Sequence, residues 1–444
     1  MKIIIVGAGE VGTHLSKLLS KEDQDIILVD PNDEKLDFPN NLEIMTVQGN
    51  PTSIHDLKMA GIKEADMFIA VTPEESTNMT ACMLAHNLGA GRTIARIDND
   101  EYLHPKNMEF FVNLGVDSLI CPETLAAEEI ISALKQPWTR QWWDIAEGKL
   151  ILLGTKIRKN APIVDKYLYE LGSGDRIYHI VAIKRGYETI IPCGSDRISA
   201  DDLIYFTTTD ESIDKIKIET GKEDIQIRKI TIMGGSRIAL RVCERLPHNI
   251  RIKLLEINKE KSYRLAERVP ENVLIINGDG RNTDLLIQEN IKNCDAFIAL
   301  TGNSEANILA CVAAKNFGVF KTVAEVENLD YIQMAEKLDI GSIINKKLIA
   351  SSHIYRFLLQ ADVSTVKCLA FANADVAELV ARPGSKITKK QVKDLRLPKD
   401  MTLGGKIRDG KAEIINGETM IQPGDHVLVF CLNTAMRKIE NYFK

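Results

Sequence analysis

Three glycines and an acid, in a fixed order, carry the most specific chemistry in this sequence. Residues 7–12 read GAGEVG, directly after the apolar run KIIIV and at the mouth of a helical periodicity, and Asp30 closes the next apolar run at LVD. This is the GxGxxG pattern of a strand–loop–helix corner, with its acid about 20 positions on. Gly7 permits the tight turn, Gly9 lets main chain approach a diphosphate that any Cβ would obstruct, and Gly12 lets the helix lie close on the strand. Ala8, Glu10 and Val11 complete the corner, whose unpaired amides at the helix start face anionic oxygens. Asp30 is placed to accept hydrogen bonds from ribose hydroxyls. Its charge opposes a 2′-phosphate, which favours NAD or NADH over the phosphorylated forms. A tight turn that holds no ligand is the plain alternative.

Further polar residues end later strands at the same sheet edge. Gly49-Asn50 and Thr72-Pro73 close the third and fourth strands and read as secondary contacts. Arg96, closing the fifth in IARI, either reaches the diphosphate or forms a surface ion pair. Chemistry beyond binding is not visible. The eight histidines show no HExxH spacing and no cysteine or carboxylate constellation; there is no GxSxG elbow and no GxxxxGK[ST] loop. Hydride transfer would require a proton donor or acceptor facing the nicotinamide, and no such residue stands out. His14 and His86 read as ordinary helix residues.

The elements that must position these residues are written twice. Residues 66–89 align without gaps to 295–318, with 11 of 24 positions identical. The offset is 229 at Thr72/Thr301, 227 at Gly7/Gly234, 226 at Asp30/Glu256 and 223 at Asp202/Asp425, so one unit has been duplicated with small insertions and deletions. In the first copy, alternation of short β-branched runs with helical periods predicts strands at 2–6, 25–29, 42–47, 67–71, 93–97 and 118–121. The second copy repeats them at 229–233, 251–255, 273–276, 296–300, 322–326 and 342–344. The helix after the fourth strand is expected to be capped by the Thr72 hydroxyl, with Pro73 in its first turn and Glu75 completing a capping box, and to close at Leu88-Gly89.

Helices at 122–134 and 348–360 are followed by shorter, strand-like periods with frequent Gly and Pro, covering about 145–221 and 366–444. The fold class is α/β, with two Rossmann-type parallel sheets, each followed by a small β-rich α+β module. The expected domains are 1–137, 138–222, 227–360 and 366–444. Pro137-Trp138 and Trp142-Trp143 mark the first junction and read as domain-interface packing.

The second copy departs from the first in its loop, Gly234-Gly235-Ser236-Arg237-Ile238-Ala239. Ser236 puts a Cβ where phosphate approach favours glycine, although Ala239 is a tolerated variant. Glu325 replaces Arg96 and opposes a diphosphate. Glu256 keeps a ribose-binding carboxylate, Arg237 restores positive charge, and Thr301 repeats Thr72. This site either binds a nucleotide more weakly or differently than the first, or binds none.

Composition bounds the rest. The chain has 444 residues, of which 45% are hydrophobic and 27% charged. By the prior of about 150 residues per domain it holds about three compact units with real cores. Disordered, collagenous and disulfide-scaffold classes are excluded. A net charge of −6, spread without a basic field, excludes nucleic acid as a partner. No run reaches the ~20 apolar residues of a membrane span, and Met1 opens into Lys2 to Val6 without a signal peptide, so a cytoplasmic protein is expected. Eight scattered cysteines read as buried, reduced thiols. Lys386, Lys389, Lys390, Lys393 and Arg396 form a basic cluster, either a ligand site in the last module or a solvated helix face.

GAGEVG at 7–12, LVD at 28–30, Gly49, AVTPEESTNM at 70–79 and ARI at 95–97, all duplicated with a β module ending each half, resemble the TrkA family of Trk potassium-uptake systems. The resemblance covers essentially the whole chain and implies two KTN (RCK N-terminal) domains, each followed by an RCK C-terminal domain. It implies a non-enzymatic, cytoplasmic regulatory subunit that assembles as a homo-oligomer, expected as a tetramer, beneath an integral-membrane potassium-translocating subunit. NAD(H), or ATP and ADP, would change the shape of that ring and so gate ion flow, with the helices at 122–134 and 348–360 as hinges or dimer contacts. An NAD-dependent oxidoreductase is the rival reading, and Ser236 and Glu325 put equal use of both sites in question.

Overall fold

Short aliphatic runs buried on both faces form parallel sheets only when crossover helices cover them, and this chain builds two such sheets. The computed structural model describes residues 1–20, 24–37, 43–171, 177–357, 363–369, 372, 374–432 and 436–444. The first sheet contains β1 (Lys2–Val6), β2 (Asp25–Asp30), β3 (Ile44–Gln48), β4 (Met67–Ala70), β5 (Thr93–Arg96) and β6 (Ser118–Ile120) in the order 3-2-1-4-5-6. Its helices are α1 (Glu10–Ser20), α2 (Ile54–Met59), α3 (Glu75–Leu88), α4 (Pro105–Asn113) and α5 (Pro122–Lys135). An antiparallel sheet follows, of β7 (Gln141–Ile145), β8 (Leu150–Lys156), β9 (Tyr178–Arg185), β10 (Glu188–Ile190) and β11 (Leu203–Thr208), closed by α6 (Ile213–Glu219).

The second half repeats this plan. Its parallel sheet is β12 (Lys229–Met233), β13 (Arg251–Glu256), β14 (Val273–Asn277), β15 (Ala296–Ala299), β16 (Lys321–Glu325) and β17 (Ser342–Ile344), in the order 14-13-12-15-16-17. Around it run α7 (Arg237–Arg245), α8 (Lys259–Ala266), α9 (Thr283–Gln288), α10 (Ser304–Asn316), α11 (Asp330–Lys337) and α12 (Lys346–Tyr355). The closing antiparallel sheet comprises β18 (Val363–Leu369), β19 (Ala374–Val380), β20 (Met401–Arg408), β21 (Lys411–Ile414) and β22 (His426–Leu432), followed by α13 (Met436–Phe443). The α/β class and the duplication are therefore as the sequence reads. Strand ends differ by a residue or two, and the expected 42–47 strand begins at Ile44, Leu42 lying outside the described residues. The helix expected at 348–360 begins at Lys346, and 358–360 lie outside the described residues.

Two compact units divide the chain: residues 1–125 with 346–355, and residues 126–345 with 356–444. In the first unit α12 packs along α1, where Lys347 Nζ lies 3.4 Å from Glu10 Oε1. Its core gathers Ile4, Val6, Ile27 and Val29 from the sheet against Ala81, Cys82 and Ala85 of α3. In the second unit Arg245 of α7 pairs with Glu128 of α5 at 3.0 Å. Trp138 and Trp142 pack with Ile151, Leu153, Ile204 and Phe206 inside the first β-rich module. These two tryptophans are therefore core residues of one module, a correction to the interface expectation. Their large rings suit the core of a small module. Trp143 alone faces a neighbouring module, with Lys367 Nζ 5.8 Å from its ring centroid.

Ion pairs between a buried aspartate and a partly exposed arginine staple the β-rich modules at the same repeat position. Arg185 donates to Asp202 from Nε at 2.8 Å and Nη2 at 2.7 Å, and Arg408 does the same to Asp425 at 2.6 and 2.7 Å. Each acid also accepts a backbone N–H, from Ser199 or Gln422, at 2.8 Å. Within the second unit Asp339 gathers cations from two modules. Arg158 Nη2 lies 2.6 Å away and Lys315 Nζ 3.1 Å away, Lys156 Nζ stands at 3.9 Å, and Arg140 also bonds to it. Burial disfavours the Asp339 anion, but Arg140, Arg158 and Lys315 outweigh that and hold its carboxyl far below the usual range.

Six described cysteines are buried and in no disulfide, as the reading of buried thiols expects, while Cys193 is exposed. It sits in the loop after β10, its Sγ 3.1 Å from Ser195 Oγ. The Cys368 side chain lies outside what is described. The basic cluster near 390 is not a helix face: Lys386 and Lys393 lie in two short 3₁₀ turns, Lys386–Thr388 and Val392–Asp394, and Lys389, Lys390 and Arg396 lie outside them. There Lys393 pairs with Glu418 at 2.8 Å. Among the described residues no helix is long and apolar enough to cross a membrane.

Candidate nucleotide sites

In the first sheet the strand order reverses between β1 and β4, and sheets of this kind bind ligands in the crevice beyond the carboxyl ends at that reversal. The glycine corner lies there. Gly7 N–H donates to Val29 O at 2.8 Å and has φ of +104°, and a Cβ on it would stand 2.9 Å from the Thr72 amide nitrogen. A Cβ on Gly12 would lie 1.9 Å from Gly7 O. Both glycines are thus demanded by the fold. Gly9 is different, since a Cβ there would meet nothing within 4 Å. The protein needs no glycine at this position for its own packing, so the open cradle suits something that arrives from outside.

Asp30 is 6% exposed, and its carboxylate already organises the corner. Oδ2 accepts Ala8 N–H at 2.7 Å and Oδ1 accepts Asn32 N–H at 2.9 Å. Each oxygen retains a lone pair for a ribose hydroxyl. Glu10 opens α1 and Val11 is buried under it. Gly49 N–H donates to Asp30 O at 3.1 Å, while Asn50 caps its own loop, accepting Thr52 N–H at 2.9 Å. Gly9, the first amides of α1 and the Asp30 carboxylate thus stand together at one corner, the arrangement that suits a diphosphate and a ribose.

Two expectations change at the β4 end. α3 begins at Glu75, and its N-cap, Glu74, makes no side-chain cap bond. Thr72 stands two residues before that cap, so its hydroxyl accepts Glu74 N–H at 3.3 Å, reaching no amide within the helix, and donates to Asn78 Oδ1 at 2.7 Å. Nor does Glu75 close a capping box, its Oε2 instead accepting Asp98 N–H and Asn99 N–H at 2.6 and 2.7 Å. Pro73 lies between Thr72 and that cap. The C-terminal expectation holds, with Gly89 at φ +107° closing the helix. Of the two readings of Arg96, the ion pair is the one formed: Nη2 is 3.1 Å from Glu123 Oε1 and 3.9 Å from Asp98 Oδ1. Arg96 Nε and Glu123 Oε2 are both buried without a hydrogen-bond partner, so the pair is only partly satisfied.

The second sheet presents the same corner with altered chemistry. Gly234 repeats the turn, with φ of +96° and its N–H on Leu255 O at 2.8 Å. Gly235 N–H donates to Glu256 Oε2 at 3.0 Å, as Ala8 does to Asp30. Ser236 is the N-cap of α7, its Oγ accepting Ala239 N–H at 3.3 Å, so a side chain already occupies a helix-start donor. Arg237 opens the helix, with Ile238 and Ala239 buried behind it. Lys261 Nζ sits 2.9 Å from Glu256 Oε2. Burial raises the Glu256 pKa, but the Asn258 N–H, Lys261 and the Gly235 N–H together hold it below the ordinary range. Glu325 ends β16, almost fully buried. A cavity of about 320 Å³ lies at this corner, with walls that include Gly234, Ser236, Glu256, Lys261, Arg281 and Thr301 but neither Arg237 nor Glu325.

Sequence reading passed over Asn78, Asn307, Glu123 and Lys261. The two asparagines were signalled by identity within the ungapped repeat, six residues after Thr72 and Thr301. Lys261 has an exposed lysine, Lys35, at the matching first-copy position. The copies differ in the acid, since glutamate reaches one methylene farther than aspartate. Among the described residues no cluster of His, Cys, Asp or Glu is arranged to hold a metal ion.

The TrkA-N domain model matches residues 3–122 and 230–346, and the TrkA-C domain model matches 154–218 and 376–444. The Trk system potassium uptake protein TrkA of Halomonas elongata is 31% identical, over 100% of this chain and 99% of its own. That of Haemophilus influenzae is 32% identical, over 97% and 95%. Among solved structures, the GsuK RCK domain superposes with a TM-score of 0.62 at 16% identity, over 100% of this chain and 94% of its own. The GsuK channel bound to NAD gives 0.60 at 16%, over 100% and 78%. At that identity the likeness establishes the fold, while the family models and the full-length relatives establish kinship. This chain belongs to the TrkA family of Trk-system potassium uptake proteins.

Proposed function

We propose that this chain is the nucleotide-sensing regulatory subunit of a Trk-type potassium transporter. It binds NAD(H) or an adenine nucleotide at the first corner through Gly7, Ala8, Gly9, Glu10, Val11, Gly12 and Asp30. The single observation that carries the binding is Gly9, a glycine with no packing need for its missing Cβ, beside helix amides and an acid at the strand-order reversal. Gly49, Asn50, Thr72, Pro73 and Arg96 line the edge around it. The second corner, with Gly234, Gly235, Ser236, Arg237, Ile238, Glu256 and Thr301, takes a different or weaker ligand, because a serine caps its helix and a lysine occupies its carboxylate.

The chain works as a homo-oligomer, a tetramer, seated at the inner face of the cell membrane through an integral-membrane potassium-translocating partner. Its domains are 1–137, 138–222, 227–360 and 366–444. A ligand shifts such an assembly only by binding one conformation more tightly than another. A nucleotide held between the glycine corner and the β4 end supplies that difference at one defined place. The role is regulatory: the nucleotide is a bound signal and is not consumed. Titration of the purified chain with NADH and ATP, alongside an assay for NADH oxidation, tests this. Saturable binding without turnover is expected, and steady oxidation by the isolated chain would overturn the reading.

A further inference from the structure

Asn78, in the first turns of α3, is 1% exposed, yet its amide is fully employed. Its Oδ1 accepts Thr72 N–H at 2.9 Å and Thr72 Oγ–H at 2.7 Å. Its Nδ2 donates to Thr72 O at 3.0 Å and to Arg96 O at 2.9 Å. Thr72 lies past the last ladder pair of β4, Ala70 with Val6 and Ala95, so the sheet no longer holds its peptide. The Asn78 side chain does so instead. That same peptide is the wall against which the Gly7 turn lies, 2.9 Å from where a Cβ would be. One side chain therefore fixes the far wall of the crevice and ties it to the end of β5.

The second copy keeps the whole arrangement. Asn307 accepts Thr301 N–H at 3.1 Å and Oγ–H at 2.6 Å, and donates to Thr301 O and Glu325 O, both at 2.8 Å. Between the copies the loop has gained a serine and Arg96 has become Glu325, while this set of four bonds is unchanged. Its constancy follows the shape of the crevice and not any one ligand-facing group. We propose that Asn78 is a positioning residue for the first nucleotide site, fixing the crevice wall against which a diphosphate-bearing ligand seats without touching the ligand. This rests on the reading of the first corner as a nucleotide site.

The test uses the full chain and NADH as probe, followed by its fluorescence, with Gly9→Val defining the signal that belongs to the first site. Each variant is also melted thermally, and binding is read well below every melting temperature. Asn78→Ala and Asn307→Ala remove the same four bonds and should destabilise the protein alike. Only Asn78→Ala should weaken Gly9-dependent binding, by about tenfold or more, the scale of one to two lost hydrogen bonds transmitted to the site. Asn307→Ala should stay within about twofold of wild type, well inside one decade of affinity. Asn78→Asp is the gentler variant, keeping both acceptor contacts and losing both donors. Relative to wild type, its affinity should recover as the pH falls, because a protonated acid again donates to a carbonyl. Asn78→Ala with wild-type affinity, or Asn307→Ala with an equal loss, would overturn the assignment. Wild-type protein with no Gly9-dependent signal would overturn the nucleotide reading itself, an outcome distinct from either.

Discussion

Replacing Gly9 separates binding from folding, because the three glycines of the corner have different environments. A valine side chain at Gly9 enters space with no protein atom within 4 Å of its Cβ, and the backbone there is not left-handed. The change therefore behaves as a surface substitution, altering stability by no more than about 0.5 kcal/mol. The same space is where a diphosphate would meet the amides at the start of α1. Charged hydrogen bonds contribute about 1.5–3 kcal/mol each. Blocking two of them costs about 3–6 kcal/mol, which is roughly two to four decades in Kd. Gly12→Ala makes the opposite trade. Its Cβ would lie 1.9 Å from Gly7 O, so α1 must move and the fold loses stability. Overpacking of this kind costs about 1–3 kcal/mol or more. Calorimetric titration with NADH, paired with thermal melts, reads both quantities on each variant. Gly9→Val with wild-type affinity, or with a melting temperature as low as that of Gly12→Ala, would refute the reasoning.

Other residues give equally specific expectations. Asp30→Asn keeps the side-chain shape but removes the charge and sets an amide donor against Ala8 N–H or Asn32 N–H. NADH should bind about 1–3 kcal/mol more weakly, with its preference over NADPH reduced; competition titration would expose an unchanged preference as a contradiction. Asp339→Asn strips the counter-charge from Arg140, Arg158 and Lys315. It should cost about 2–4 kcal/mol of stability, slightly under the range for fully buried pairs because Asp339 is partly exposed, and a loss below about 1 kcal/mol would speak against the hub. Burial, then Arg158 and Arg140, push the Lys222 amine down to about 8. Between that value and the ordinary lysine pKa near 10.4, the unfolded chain binds a proton that the folded chain does not. Lys222 therefore favours folding more as pH rises through this window and loses that contribution as pH falls to 8. The stability of wild type relative to Lys222→Met should rise by about 1.5 kcal/mol from pH 8 to 9.5, measured by thermal unfolding; a flat or falling difference would contradict the sign.

The repeat, the strands and the glycine corner were legible because each is a local pattern with one physical solution. KIIIV followed by GAGEVG admits little besides a strand turning into a helix, and the copied block at 295–318 carried the same solution to the second half. What stayed hidden depends on side chains from distant positions meeting. Thr72 read as a helix cap because threonine, proline and glutamate stand at cap spacing, but the helix starts two residues later, at Glu75, and Asn78 holds the Thr72 peptide and hydroxyl outside it. Arg96 read as a residue with two possible partners, and the carboxylate it meets, Glu123, stands 27 positions on, beyond any local pattern. Trp138 and Trp142 read as an interface because they sit at a composition break, whereas their ring areas are what a small β-rich core needs. Lys261 and Lys35 occupy matching positions, but Lys261 stands in a helix and faces a glutamate, one methylene longer, while Lys35 stands in a 3₁₀ turn beside an aspartate.

Potassium uptake in cells lacking this chain, restored with either the wild-type sequence or Gly9→Val at equal abundance, tests the central claim most directly. The expected result is uptake recovered by the wild type and unresponsive to cellular nucleotide state in the variant, with both proteins recovered alongside the same membrane partner. Equal, nucleotide-responsive uptake from the two would contradict the claim that a ligand resting on this corner governs transport.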